Sequence, residues 1–277
     1  MGIVSCYLVN AAFKKGRRRA VDISHQEKEG RLANRIRAHK LFANFDITSW
    51  ISNFVGSRRW DSVLDVGCGD GNHLGIYLQH LTKSGKVVGI DRDMTLLKHA
   101  KSRYPDAANL DLRVSSMDEP LPFADDTFDL VMSVFAIYNA KDPVATLNEI
   151  HRTMRPGGNL VLVGSTSNNA RELYDFNERL TGLQIDERML RRVNRLADEI
   201  LPIVQDLFEG CRDERLDSYL TFPDQDEFLR YYRSTLVYEE TAEKMGISVT
   251  EMKAACPSNS QIRLSKEMLV ITSRKAH

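Results

Sequence analysis

One stretch constrains the fold of this chain more than any other: an apolar run that turns, through three closely spaced glycines, into a helical pattern. It reads Val-Leu-Asp-Val-Gly-Cys-Gly-Asp-Gly-Asn-His-Leu over residues 63–74. Glycine is favoured where the backbone needs a positive φ, or where a Cβ would block a close approach. The stretch therefore predicts a buried strand ending in a loop against a ligand. Free N–H groups at the start of the next helix favour a ligand with a negative group. The alternative is a glycine-rich turn without a ligand.

The spacing of the glycines separates three kinds of nucleotide site. A phosphate loop would end in Gly-Lys-Ser/Thr, which this stretch lacks. A dinucleotide fingerprint needs G-x-G-x-x-G, whereas Gly67, Gly69 and Gly71 are spaced G-x-G-x-G and Asp65 stands two positions before them. The D-x-G-x-G-x-G form resembles the first motif of the class I S-adenosylmethionine-dependent methyltransferases. The resemblance implies that S-adenosylmethionine is the cofactor and that Asp65, Gly67, Cys68, Gly69 and Gly71 belong to its site.

A second acidic residue stands where such a site needs one. The predicted strand over 86–91 ends in Asp91, about 20 residues after the glycines, where a nucleoside-binding α/β unit places the acid that accepts both ribose hydroxyls. An acid at a strand end can instead be a helix N-cap, but Asp93 fits that role better because it directly precedes a helical pattern. We therefore predict that Asp91 binds the ribose, with Arg92 beside it in the site.

Residues 116–129 resemble the family's segment of an acid, Leu-Pro-Phe and then Phe-Asp, in which the acid accepts from the adenine amino group. This sequence departs from the pattern, because Met117 occupies the acid's place and Asp118 follows it. The resemblance implies that Asp118 or the backbone holds the adenine, with Met117 on the ring. The fourth strand, 130–135, ends at the predicted switch point of the sheet, which would place Ser133 and Val134 at the methionine end.

The resemblance implies a small-molecule acceptor, such as those of secondary metabolism, and the charge and motif content argue against nucleic acid. Lys plus Arg and Asp plus Glu each number 38, so the net charge is zero and no overall field attracts a polyanion. Methylases of exocyclic base amines carry Asp/Asn/Ser-Pro-Pro-aromatic at the fourth strand end, and residues 133–135 read Ser-Val-Phe instead. No apolar run approaches the roughly 18 residues of a membrane span, so no membrane partner is expected.

The four cysteines are far apart and form no C-x-x-C pair. We therefore expect reduced thiols, a cytoplasmic location, and neither a disulfide nor a metal site. Gly2 and Cys6 faintly suggest an acylated anchor, but Cys6 stands where the acylation pattern has Ser or Thr. A monomer or a homodimer would fit the sequence equally well.

The implied reaction is a direct displacement, for which alignment and proximity supply most of the acceleration. A base is needed only if the nucleophile arrives protonated. The candidates for that base, or for orienting the acceptor, are Tyr138 and Asn139 after the fourth strand and His39 from a leading helix. Two alternatives stay open: a nicotinamide oxidoreductase, which needs the missing G-x-G-x-x-G, and a catalytically silent S-adenosylmethionine-binding protein, which would share every cofactor motif.

The predicted fold is α/β: a Rossmann-like, doubly wound, seven-stranded sheet with an antiparallel last strand, plus a helical cap insertion. A helical pattern at 24–54, rich in Arg, predicts either a lid or a solvated face. The long insertion shows no strand signal, and its aromatics, Tyr174, Tyr231 and Tyr232 among them, predict a substrate cap. The predicted parts are residues 1–60 (N-terminal arm and lid helices), 61–164 (cofactor-binding core), 165–246 (helical substrate cap) and 247–277 (C-terminal strands, with an edge pair formed by 247–249 and 268–273).

Overall fold

The computed structural model of the protein describes residues 30–184, 187–257 and 261–277, and for 187–190 it describes the backbone alone. The predicted arm, the acylation pattern at Gly2 and Cys6, and the first residues of the leading helical pattern lie outside these ranges. The remainder of that pattern forms two helices, α1 (Arg31–Phe42) and α2 (Ile47–Gly56). Asp46 separates them and caps α2, because its side chain accepts the N–H of Thr48 at 2.9 Å.

A seven-stranded sheet in the order β3-β2-β1-β4-β5-β7-β6 forms the centre of the protein. The first five strands are parallel, and β7 runs antiparallel to both of its neighbours. The predicted fold class is thereby confirmed. The strands are β1 (Trp60–Val66), β2 (Leu81–Asp91), β3 (Leu110–Val114), β4 (Phe128–Val134), β5 (Met154–Ser165), β6 (Glu209–Phe222) and β7 (Ile262–Arg274).

Helices connect these strands and cover both faces of the sheet, so that the central strands are buried on both sides. In chain order they are α3 (Leu74–Gln79), α4 (Met94–Arg103), α5 (Pro143–Thr153), α6 (Arg171–Thr181), α7 (Glu187–Arg195), α8 (Leu201–Leu207), α9 (Gln225–Tyr232), α10 (Leu236–Tyr238) and α11 (Val249–Ala255). A π-helical turn, Leu196–Ile200, lies between α7 and α8 and ends two residues before Pro202. Each helix of the described residues is too short or too polar to cross a bilayer.

The order of the strands fixes where a ligand can bind. The chain leaves β1 toward β2 and β3 on one side, and β4 and β5 continue on the other side. The connections therefore diverge between β1 and β4, and a crevice opens beyond the carboxyl ends of these two strands. The glycine loop at 67–71 follows β1 directly, so the fold places it at this crevice.

The insertion is not purely helical, which corrects one prediction. Strand β6 lies within 165–246, where we expected no strand, and the predicted edge strand 247–249 instead leads into α11. The first half of β6 reads Glu-Gly-Cys-Arg-Asp-Glu-Arg and is mostly exposed, because it forms the edge of the sheet. Its pairing depends on backbone hydrogen bonds to β7 rather than on buried side chains, so no apolar alternation marks it in the sequence.

Strands β6 and β7 extend beyond the rest of the sheet. Their pairing continues to Phe222 and Ile262, whereas β5 pairs with β7 only as far as Ser165 and Met268. The first six residues of β7 thus overhang the end of β5 by about 20 Å. We call residues 216–222 and 262–267 the ribbon. A second apolar core packs on it, drawn from α6, α9 and α11.

Helix α1 contacts this second core through several of its basic residues. Arg31 pairs with Glu239 and Glu243 at 2.8 Å each, and Arg37 pairs with Glu227 at 2.6 Å. Of the two interpretations of the Arg-rich pattern, the structure therefore favours a helix that contacts the insertion over a solvated face.

Candidate functional site

The three glycines of the loop all have positive φ, at 77°, 55° and 78°. A Cβ on Gly67 would lie 2.3 Å from the Cβ of Ala136, and one on Gly71 would lie 2.9 Å from Cδ1 of Leu74. A Cβ on Gly69 would meet no atom within 4 Å. Gly67 and Gly71 therefore serve close packing, whereas Gly69 presents bare backbone to open space.

Asp91 lies beside this loop at the end of β2 and holds it in place. One carboxylate oxygen accepts the N–H of Gly69 and the other accepts the N–H of Asp93, each at 2.9 Å. Asp93 itself caps α4 by accepting from Thr95 and Leu96 at 2.8 and 3.3 Å. Burial raises the pKa of Asp91. Each of its oxygens keeps capacity for a further hydrogen bond on the wall of the crevice, as a ribose diol would require.

Two further residues of the first motif lie beneath the loop. Asp65 is 3% exposed, and burial, followed by the charge of Asp91, raises its pKa to about 8. Burial, then Asp65 and Asp91, raises the pKa of the Cys68 thiol well above its usual range, so the thiol stays protonated at neutral pH. Cys68 lines the crevice with Gly67 and Gly69, whereas Asp65 and Gly71, which we predicted with them, do not line it.

Only one of the two residues predicted at the end of β4 faces the crevice. Val134 lines it, but Ser133 is fully buried and its hydroxyl donates to the carbonyl of Val66 at 2.9 Å. The prediction that Ser133 lines the site is wrong, because neighbouring side chains in a strand point to opposite faces. Ser133 instead ties β4 to the end of β1.

The segment predicted at the adenine lies on the same wall. Met117, Asp118 and Arg92 all line the crevice. Oδ1 of Asp118 accepts the N–H of Lys141 at 2.7 Å, and the carbonyl of Met117 accepts from the Thr146 hydroxyl at 3.0 Å. The segment is therefore fastened to the start of α5 while its side chains stay at the site.

The crevice continues without interruption under the insertion as a cavity of 1120 Å³. Pockets for one small ligand usually measure about 300–1,000 Å³, so this cavity lies above the usual range. The residues on its far wall come from α1, α6, α9 and β7, and include Arg35, His39, Tyr174, Tyr231, Lys266 and Met268. Tyr232, which we predicted with them, is fully buried in the second core, where its hydroxyl donates to Oδ1 of Asn177 at 2.6 Å.

The three catalytic candidates lie on the cavity wall. Tyr138 and Asn139 belong to a 3₁₀ turn after β4, and Arg192 of α7 donates to Oδ1 of Asn139 at 2.7 Å. Part of the His39 side chain is accessible to solvent, and this part faces the cavity rather than the outside of the protein. Burial, then the cations Lys266 and Arg35, lowers its pKa to about 3. A ring with that pKa is neutral at pH 7 and a weak base.

Lys266 is a site residue that we did not predict from the sequence. It lies on the ribbon and is 8% exposed. The signal was present, because every second residue from Ile262 to Val270 is buried and all of these are apolar except Lys266. A charged residue at a buried position of an alternating strand indicates a function or a buried partner.

The chain matches the family model described as Methyltransferase domain over residues 64–162. A demethylmenaquinone methyltransferase of Symbiobacterium thermophilum is 35% identical over 120 residues, which cover 40% of this chain and 47% of that protein. A ubiquinone/menaquinone biosynthesis C-methyltransferase, UbiE, of Geobacter sulfurreducens is 28% identical over 206 residues, covering 70% of this chain and 72% of that protein. The chain spans less than half the length of several curated relatives, from 31% to 47%.

Among solved structures, a putative methyltransferase (BH2331) of Bacillus halodurans superimposes with a TM-score of 0.58 at 18% identity. The superposition covers 83% of this chain and 99% of that one. The match to the family model agrees with three features of the structure: the glycine loop, the carboxylate at the end of β2 and the order of the strands. Residues 64–162 therefore form a class I S-adenosylmethionine-dependent methyltransferase domain.

Proposed function

We propose that the protein transfers a methyl group from S-adenosylmethionine to a small-molecule acceptor held under the insertion. The observation that carries this proposal is the single cavity that joins Gly69 and Asp91 at one end to Tyr174 and Tyr231 at the other. When bound, S-adenosylmethionine supplies an electrophilic methyl group on a sulfonium. The two ends of the cavity then correspond to the methyl donor and the acceptor.

The residues present fit the cofactor. Gly69 leaves open space where any other residue would project a Cβ. Asp91 keeps acceptor capacity for the ribose, and Asp118 or the backbone around Met117 holds the adenine. Arg92 and Val134 line the same part of the cavity. These assignments rest on the geometry of the wall and on the resemblance of the motifs.

The far wall serves the acceptor. Helices α1, α6 and α9 enclose it, and this enclosure excludes water and limits the orientations that an acceptor can take. Asn139 and Tyr138 lie between the two ends and orient the acceptor. With its lowered pKa, His39 serves as a hydrogen-bond partner rather than as a strong base. The quinone methyltransferases among the relatives support a small-molecule acceptor, and the buried thiols of Cys68 and Cys256 support a cytoplasmic location.

The proposal also assigns a role to each segment of the chain. We assign residues 61–164 to cofactor binding and 165–246 to the acceptor cap. We extend the cap to the first half of β7, because the ribbon contributes to the same wall. Of the N-terminal helices, α1 contributes to the far wall and the start of α2 lines the same cavity.

Calorimetry with S-adenosylmethionine, its demethylated product and NADH tests the first step, followed by incubation with labelled S-adenosylmethionine and a metabolite extract. We expect micromolar binding of both sulfur ligands and a labelled small molecule. Binding of NADH without S-adenosylmethionine would overturn the proposal at the cofactor. Binding of S-adenosylmethionine without transfer to any acceptor would leave a non-catalytic binding protein.

A further inference from the structure

The buried ammonium of Lys266 is the most unusual group on the acceptor wall. Its polar contact is the hydroxyl of Tyr231, at 3.0 Å from Nζ, and the same ammonium lies 5.5 Å from the centre of the Tyr231 ring. An ammonium has three donors, so the tyrosine leaves capacity for a ligand. Burying a charge without a counter-charge is costly, and a ligand of opposite charge would offset that cost.

The other charged groups near Lys266 have the same sign. Arg35 and Lys266 are close enough to His39 to lower its pKa, and Arg192 lies near Tyr174. The neighbouring acid in the chain, Glu267, points to the opposite side of β7, where it pairs with Arg215 at 2.8 Å. This part of the cavity therefore carries a positive potential that no adjacent carboxylate of the described residues cancels by an ion pair with Lys266.

The carboxylates that do line the cavity are engaged with other groups. Asp91, Asp93 and Asp46 accept backbone N–H groups at 2.8–2.9 Å near the cofactor end and the start of α2. Asp118 accepts the N–H of Lys141, Asp70 pairs with Arg103 at 3.2 Å, and Glu239 pairs with Arg31 at 2.8 Å. These acids of the described residues thus contact the cofactor crevice, the helix ends and Arg31, and none of them forms an ion pair with Lys266.

We propose that the acceptor carries an anionic oxygen group, a carboxylate or a phosphate, on an aromatic or apolar body, and that Lys266 anchors this group. The aromatic rings of Tyr174 and Tyr231 provide the surface for the body. This inference rests on the proposed function, because it assigns the substrate class of the same cavity. The anchor holds the acceptor at the ribbon and so fixes which of its atoms faces the cofactor end.

The test measures ligand binding to the protein with and without S-adenosylhomocysteine. The probes are benzoate and phenyl phosphate, each compared with the uncharged benzamide. We expect at least one anion to bind about ten- to a hundredfold more tightly than benzamide. The two anions distinguish a carboxylate site from a phosphate site. Because the probes are also tested without S-adenosylhomocysteine, failure of cofactor binding and failure of the anion preference are separate results.

Variants assign the preference to Lys266. Lys266→Met should abolish the anion preference while benzamide binding stays unchanged, and Lys266→Arg should retain most of it. Lys83→Met, an exposed residue outside the cavity, is the control with the same change in net charge. Without ligand, Lys266→Met should raise the melting temperature, because it removes a buried charge; a merely structural lysine would lower it. Equal binding of anions and benzamide by the wild type, no binding of either anion, or an anion preference unchanged in Lys266→Met would overturn the proposal.

Discussion

The carboxylate of Asp91 accepts the backbone N–H of Gly69 at 2.9 Å, so the acid at the end of β2 holds the loop that follows β1. Asp91 is thus both a part of the fold and a candidate ligand. The N–H of Gly69 orients the Asp91 carboxylate that would accept the ribose hydroxyls, and the same carboxylate helps to fix the position of Gly69. Changes at either residue should therefore affect both cofactor binding and the stability of the loop.

Asp91→Ala should weaken binding of S-adenosylmethionine by the loss of about two hydrogen bonds to a charged group, each worth about 1.5–3 kcal/mol. It should also lower the melting temperature, because the N–H groups of Gly69 and Asp93 lose their acceptor. Calorimetry and thermal unfolding measure the two effects. Asp142→Ala is the matched control, since Asp142 caps α5 by accepting from Ala145. Its loss should cost about 1 kcal/mol of stability with normal affinity, and a parallel loss of affinity there would show that stability alone explains the result.

The glycines of the loop should respond differently to alanine. Gly67→Ala places a Cβ 2.3 Å from that of Ala136, and we expect overpacking of about 1–3 kcal/mol in addition to the strain of a positive φ. Gly69→Ala adds only the strain, about 1–2 kcal/mol, but its methyl group enters the cofactor crevice. Denaturant unfolding should therefore rank Gly67→Ala as the less stable variant, and calorimetry should rank Gly69→Ala as the weaker binder relative to its stability. The reverse ranking would place the ligand on another side of the loop.

Stability should depend on pH through Asp65. Its pKa rises from 3.8 to about 8 on folding, so between these values the folded protein holds a proton that the unfolded chain has lost. The contribution of Asp65 to the free energy of unfolding therefore falls as pH rises through this range, by at most about 1.4 kcal/mol per pH unit. Asp65→Asn should flatten this dependence, measured by urea unfolding from pH 5 to pH 8. An identical slope in both proteins would mean that Asp65 stays ionised in the fold.

Two tyrosines of the insertion should separate acceptor binding from packing. Tyr174 lines the cavity, so Tyr174→Ala should raise the acceptor's KM by about tenfold or more through lost apolar contact without changing S-adenosylmethionine affinity. Tyr232 is fully buried in the second core, so Tyr232→Ala should instead cost about 3–5 kcal/mol of stability. Sedimentation checks both variants, because a change of mass with normal KM for Tyr174→Ala would make the insertion an interface between subunits.

The glycine loop and the acid at the end of β2 could be predicted as neighbours from the sequence, for a physical reason. Gly67, Gly69 and Asp91 act through local backbone geometry at strand ends, and a strand followed by such a loop is visible in a single stretch of sequence. Met117 and Asp118 were predicted instead from the resemblance of residues 116–129 to the family's segment, and they line the same crevice. The prediction for Ser133 was wrong because successive side chains of β4 point to opposite faces of the sheet. This direction, and not the position at the strand end, decides which side chain reaches the crevice.

The acceptor half was harder to predict, because distant segments build it. Lys266 lies on β7, Tyr231 on α9 and His39 on α1, and they meet because α1 and α9 pack on β6, which pairs with β7. That pairing could not be foreseen, since the exposed first half of β6 carries no apolar alternation. The local indication of this site in the sequence was Lys266, a charged residue among the alternating apolar residues of β7.

The ribbon also determines how the acceptor site is supported. Continuous backbone hydrogen bonds join Lys266 to the same sheet whose other strands carry the glycine loop and Asp91. The relative positions of the acceptor anchor and the cofactor crevice are thus set when the sheet forms. An acceptor therefore meets a preorganised wall, and little of its binding free energy is lost to ordering that wall. Selectivity among acceptors then depends mainly on how well their length matches the fixed span between Lys266 and the crevice.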